Sequence, residues 1–137
     1  MEIKLAVLAD YAAITDQGKL VLGGVFDTLI LSRLPGVHPQ MAVAVRMSAS
    51  TGEGTKHALT LRLVDPEGAD VVPPIEGALE FRSAGTLPGA GAQVVLHLNQ
   101  IEFRAEGAYR FEILVDGHPI GSIDLSVHLT APQTPRH

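Results

Sequence analysis

A chain of 137 residues is long enough for one domain with a real core and too short for two comfortable ones. Hydrophobic residues make up 46%, which argues against disorder, while 4% aromatics and no Trp leave an aliphatic core of Val, Leu, Ile and Ala. A net charge of −5 with three lysines argues against nucleic acid or an anionic membrane as partner, and the lack of Cys excludes disulfides, thiolate metal sites and a Cys nucleophile.

The N-terminus, Met1-Glu2-Ile3-Lys4, is not clearly cationic, and its apolar run breaks at Asp10, short of a signal peptide. No stretch approaches the ~20 apolar residues of a membrane span, so a soluble, cytoplasmic protein is expected. Residues 2–11 read as a first strand with Ile3, Leu5, Val7, Ala9 and Tyr11 on one face. Ala6 and Leu8 interrupt Lys4 and Asp10 on the other face, so this strand is apolar on both sides. Thr15-Asp16-Gln17-Gly18 predicts an ordered turn, with Asp able to close an Asx turn and Gly supplying the left-handed residue. Lys19–Phe26 reads as a second strand, Leu20 and Leu22 opposite Val21 and Val25. Gly23-Gly24 within it marks a bulge or a close backbone approach. Thr28–Ser32 continues extended until Pro35-Gly36.

Four short motifs in this third of the chain occur in a telling order. They are Leu8-Ala9-Asp10-Tyr11-Ala12, Gly18-Lys19-Leu20, Gly24-x-Phe26-Asp27 and His38-Pro39-Gln40. Together with the later Val115-Asp116-Gly117 hairpin they resemble an uncharacterised bacterial family of small all-β proteins of about this length. The resemblance spans nearly the whole chain and implies fold and length. It implies no mechanism.

From Gln40 the pattern is clean, with Met41, Val43, Val45 and Met47 inward and Ala42, Ala44, Arg46 and Ser48 outward. Residues 50–56 predict a polar hairpin loop. Leu59, Leu61 and Leu63 line the next strand, which ends at the Asp65-Pro66-Glu67-Gly68 turn. Pro73-Pro74 delays the following strand to Ile75, and Ile75, Leu79 and Phe81 then oppose Glu76, Glu80 and Arg82. A Gly-rich loop covers 83–92, and Val94, Leu96 and Leu98 face inward after it. Tyr109, Phe111, Ile113 and Val115 alternate with Arg110, Glu112 and Leu114 up to Asp116-Gly117, the strongest short signal for a tight hairpin. Ile123, Leu125, Val127 and Leu129 carry the return strand. A two-residue turn places Ile120 inward, an odd offset from Ile123, so one extra residue must be absorbed, most naturally at Gly121-Ser122. A disordered tail is expected over 131–137.

No segment shows a helical period. Eight or nine short strands predict an all-β fold, an antiparallel β-sandwich forming one domain over 1–130. Gly107-x-Tyr109-x-Phe111 matches a tyrosine corner, which favours an immunoglobulin-like form with the Tyr109 hydroxyl bonded to upstream backbone.

No catalytic constellation emerges. The six histidines lack metal-ligand spacing, His97 and His128 being the one pair that could meet across strands. Asp65, Glu67 and Asp70 could hold calcium but fit an ordinary turn better. The 85–91 loop lacks the ending of a phosphate loop, and Ser83, Ser122 and Ser126 lack a nucleophile elbow. Acid–base carboxylates would have to come from Asp10, Asp27 or Asp124. No cofactor and no metal are expected. Asp10, Tyr11, Asp27 and His38 are the candidate ligand or partner residues, with carboxylates bonding backbone amides at strand ends as the structural alternative. The preferred expectation is a non-enzymatic interaction or assembly module. A small-molecule or ion-binding sandwich with an end pocket from loops 33–40, 50–57 and 83–92 is the rival, and a carboxylate hydrolase comes third. Because the first strands are apolar on both faces, a homodimer or other protein partner is expected through Ala6, Leu8, Val21 and Val25. The monomeric alternative folds loop 33–40 over that face.

Overall fold

A computed structural model describes residues 1–48, 56–81 and 91–130. Among them are nine strands and no helix: β1 Glu2–Ile14, β2 Leu20–Phe26, β3 Thr28–Leu31, β4 Gly36–Ser48, β5 Lys56–Val64, β6 Ile75–Glu80, β7 Gly91–Phe103, β8 Gly107–Val115 and β9 His118–Leu129. The expected loops 50–56 and 83–92 fall largely outside the described residues, as does the expected tail 131–137.

The strands form two sheets, β2-β1-β4-β7 and β3-β9-β8-β5-β6. Every pairing is antiparallel except β3 with β9. The chain changes sheets at Asp27, between β2 and β3, where the Ser126 amide donates to the Asp27 carbonyl at 2.9 Å. Alternation is the cause of the layering. Met41, Val43, Val45 and Met47 of one sheet meet Leu59, Leu61, Leu63, Phe111, Ile113 and Leu125 of the other in one buried cluster. The architecture is the expected all-β sandwich. The expected immunoglobulin likeness rests on the tyrosine corner alone: Tyr109 is 4% exposed and its hydroxyl donates to the Ala105 carbonyl at 2.6 Å. The Phe103 ring meets it edge-on at 5.1 Å.

Two extra residues control which side chains face in. In the closing hairpin Val115 lies opposite His118, as a two-residue turn requires, and Asp116 and Gly117 take positive φ of 51° and 81°. Leu114 then faces Pro119 and Ile113 faces Gly121, leaving Ile120 as the extra residue. The bulge required by parity is present, one residue before Gly121-Ser122. The second is in β1. Ile3 lies opposite Met47 and Leu5 opposite Arg46, so Lys4 is extra and the inward set switches from odd to even numbers.

That switch corrects the expected interface. Leu8 is 0% exposed and sits in the inter-sheet core, with Ala6 packed against it, while Val21 and Val25 remain 43% and 57% exposed. The four residues therefore share no surface. The outer face of this sheet carries its own small cluster instead. Ala12, Ala42 and Ala44 are buried beneath Val7, Leu20, Leu22 and Val95, because an alanine is readily screened by longer neighbours. The 33–40 segment does not cover this face either, since β4 begins at Gly36 and pairs there with Phe103 of β7.

The first turn also differs in detail from its expectation. Gly18 is left-handed at φ 77°, but the Thr15 hydroxyl, not Asp16, accepts from the Lys19 amide at 3.0 Å. Gly24 bears out the expected close approach. It has φ 69°, and a side chain there would collide with the Asp10 carboxylate.

Candidate functional site

The two sheets leave edges unpaired at the same corner. β2 pairs with β1 only from Leu8 onward, and β3 pairs with β9 only from Ser126 onward. The first half of β1 and the first two-thirds of β9 thus each present one edge without a strand partner among the described residues. Ile3 bridges them at one end, where its Cδ1 occupies the space a side chain on Gly121 would need. The sheet-crossing residues Phe26 and Asp27 close the other end. Between lies a cleft of about 420 Å³ lined by Ala6, Val7, Leu8, Val25, Phe26, Asp27, Ser122, Ile123 and Asp124. Its walls combine apolar side chains with one hydroxyl, two carboxylates and strand-edge backbone groups, the mixture from which ligand sites are built.

Each carboxylate is placed by its strand. Asp27 sits at the crossover, and one of its oxygens accepts from the Thr28 hydroxyl at 3.0 Å. Asp124 alternates with buried Ile123 and Leu125 and so points outward from β9. Arg110 lies opposite it on β8, but that guanidinium bonds Glu112 at 3.1 Å. Asp124 is left without a hydrogen bond or ion pair among the described residues.

Of the four residues expected to share a site, only Asp27 lines this cleft. Asp10 packs over Gly24 on β2. Tyr11 is exposed. His38 lies behind Phe26, with ring centroids 6.1 Å apart and planes tilted at 56°, and its buried Nε2 has no partner among the described residues. The alternative, carboxylates bonding backbone amides at the strand ends, is not what the first two strands use: Asp27 ties the sheets through its main-chain carbonyl. Of the three acids Asp10, Asp27 and Asp124, the last two line the same cleft. Ser122, expected at the hairpin bulge and lacking a nucleophile elbow, lines the cleft beside them. The unpaired edges carry no sequence signal, because pairing is decided by residues far away in the chain.

The remaining candidates separate. His97 belongs to β7 of the four-stranded sheet and His128 to β9 of the other, so they do not meet. One Asp65 oxygen accepts from the Glu67 and Ala69 amides at 2.9 Å each, and Asp70 pairs with Arg62 at 3.1 Å, the ordinary turn rather than a calcium loop. The expected end pocket would draw on 50–55 and 83–90, which lie outside the described residues. One contact had no forerunner in the sequence reading: His57 Nδ1 and Asp116 Oδ2 are 2.6 Å apart, and Asp116 also accepts from the Ala58 amide at 2.9 Å. The hydrogen bond to His57, then that to Ala58, hold the Asp116 carboxyl below its ordinary range. No helix among the described residues is long and apolar enough to cross a membrane.

No curated protein matches the chain. One similar solved structure is the Pseudomonas fluorescens alkylpurine DNA glycosylase AlkC bound to DNA containing an abasic site analog, with a TM-score of 0.46 and 10% identity. The match covers 90% of this chain but 30% of that one, so the chain spans about a third of its length. A likeness this distant carries no functional argument. The expected interface face is dismantled by the burial of Leu8 and the packing of Ala6 against the core. The homodimer or other protein partner read from the sequence through that face therefore does not stand. The model of a family of unknown function matches residues 4–128, from the first strand through nearly all of the last. The chain belongs to that family, DUF6941.

Proposed function

We propose that residues 1–130 form a single sandwich domain acting as a non-enzymatic binding module for a small molecule, held in the corner cleft between β1, β2 and β9. The observation that carries this reading is the coincidence of two unpaired strand edges on one cavity of about 420 Å³. A sandwich protects its edges by pairing, covering or charging them. Here the edges instead frame a recess whose apolar floor and exposed carboxylates suit a bound group better than bare water. The site differs from the expected end-loop pocket in lying along the side of the sandwich.

The test is a fragment screen followed by amide NMR shifts, on the native chain and on Ser122→Trp, which fills the cleft from an exposed position. Fragments that move the amides of Ala6–Leu8 and Ser122–Asp124, and lose that effect in Ser122→Trp, support the reading. Hits that map elsewhere, or survive the substitution, overturn it.

A further inference from the structure

The charge around the cleft narrows what it would take, an inference that rests on the binding reading above. Asp27 and Asp124 both line it, and no lysine, arginine or histidine does. Arg110 is the one cation placed opposite Asp124, and its guanidinium bonds Glu112 rather than Asp124. Asp124 keeps no partner of its own among the described residues, and Asp27 spends one oxygen on the neighbouring Thr28 hydroxyl. Around the carboxylates stand Leu8, Phe26 and Ile123.

Three classes of occupant can be compared. An anion meets two carboxylates inside a chain already at −5. A neutral apolar molecule covers those carboxylates without giving them donors, and desolvating an unpaired charge is unfavourable. A metal ion wants a fuller ligand set, and no group of three such side chains is placed to hold one among the described residues. An ammonium or guanidinium supplies several donors, and a ring or alkyl chain attached to it fits the apolar walls. We infer that the cleft selects a small organic cation with an apolar body, its head between Asp27 and Asp124 and its body against Phe26 and Ile123.

The probes are phenethylammonium and its neutral and anionic counterparts, 2-phenylethanol and 3-phenylpropionate, titrated into the whole chain by NMR. The ammonium should shift the amides of Ala6–Leu8 and Ser122–Asp124 with an affinity at least about ten-fold above either counterpart, a difference of ~1.4 kcal/mol. Asp27→Asn and Asp124→Asn should each weaken it by roughly two- to five-fold, as expected for exposed pairs. Asp16→Asn, an exposed acid in the first turn, should leave it unchanged. Equal binding of all three probes, or equal weakening by Asp16→Asn, overturns the cation inference while leaving the cleft reading in place. Silence from the ammonium, while other fragments still bind in a manner sensitive to Ser122→Trp, does the same. Only the absence of any cleft-bound fragment removes both.

Discussion

The β8–β9 hairpin and the β1–β4 ladder each absorb one extra residue, on surfaces of opposite character. In the hairpin the inward residues Tyr109, Phe111, Ile113 and Val115 are buried, and Asp116, Gly117 and His118 at the turn are exposed. A slip by one residue there would place a buried ring or branched chain in water, so the register has a single solution. In β1, Ala6 and Leu8 face the core while Val7 and Ala9 face a second apolar patch. Both faces are apolar, so the pattern does not say which turns inward, and the Lys4 bulge switches the inward set. Amphipathic contrast pins a strand; apolarity on both sides leaves the choice to a single irregularity.

The largest expected effect tests that choice directly. Leu8→Ala should destabilise by about 3–5 kcal/mol, as for a fully buried leucine, while Val25→Ala should stay within ~0.5 kcal/mol. Urea unfolding of both variants measures the difference, and equal losses would reverse the inward assignment. Tyr109→Phe comes next, at about 1–3 kcal/mol, because it leaves the Ala105 carbonyl without its donor. A neutral result would mean that the corner hydrogen bond adds nothing to the hairpin region.

Deleting Lys4 probes the bulge itself. Removing it brings Ile3 and Leu5 into simple alternation against Met47 and Arg46, so the loss should be under about 1 kcal/mol. Deleting Val7 would instead turn Leu8 outward, with a loss on the scale of a core substitution. The same melting experiment reads both, and similar losses would argue that Lys4 does not set the faces.

Asp116→Asn is the smallest effect expected. Asparagine tolerates the positive φ and can still accept from the Ala58 amide, so the charge facing His57 is what is removed. The Asp116 carboxyl is held below its ordinary value of 3.8, so its contribution is present in full above that pH and is lost as pH falls through the lower folded value. The variant's deficit in melting temperature should accordingly shrink in acid. A deficit independent of pH would assign it to packing.

What could be read from residues alone follows the same division. The strands around Met41–Met47, Leu59–Leu63 and Tyr109–Val115 alternate cleanly, and Asp116-Gly117 states its turn in two residues. From these came the sandwich, the corner and the need for a bulge near Gly121. The faces of β1 were misread because Lys4 looks like any exposed strand residue. Its role as an extra depends on a partner strand some forty residues away. The cleft was half legible: Asp27 and Asp124 could be named, but their placement on one cleft depends on the chain crossing between sheets. Nothing local to either residue records that crossing.

The parallel β3–β9 pair has a consequence for the order in which the protein can be made. β3, at Thr28–Leu31, lies against Ser126–Leu129, and the Thr130 amide closes the pair by donating to the Leu31 carbonyl at 2.8 Å. During synthesis β1, β2 and β4 can find one another early, since their contacts lie within residues 2–48. β3 must wait for a partner about a hundred residues downstream, and β9 in turn separates β3 from β8. A ribosome that stalls anywhere before β9 therefore holds a chain with one sheet begun and the other without an inner strand. Its inward leucines and phenylalanines would be open to other nascent chains until the last strand emerges.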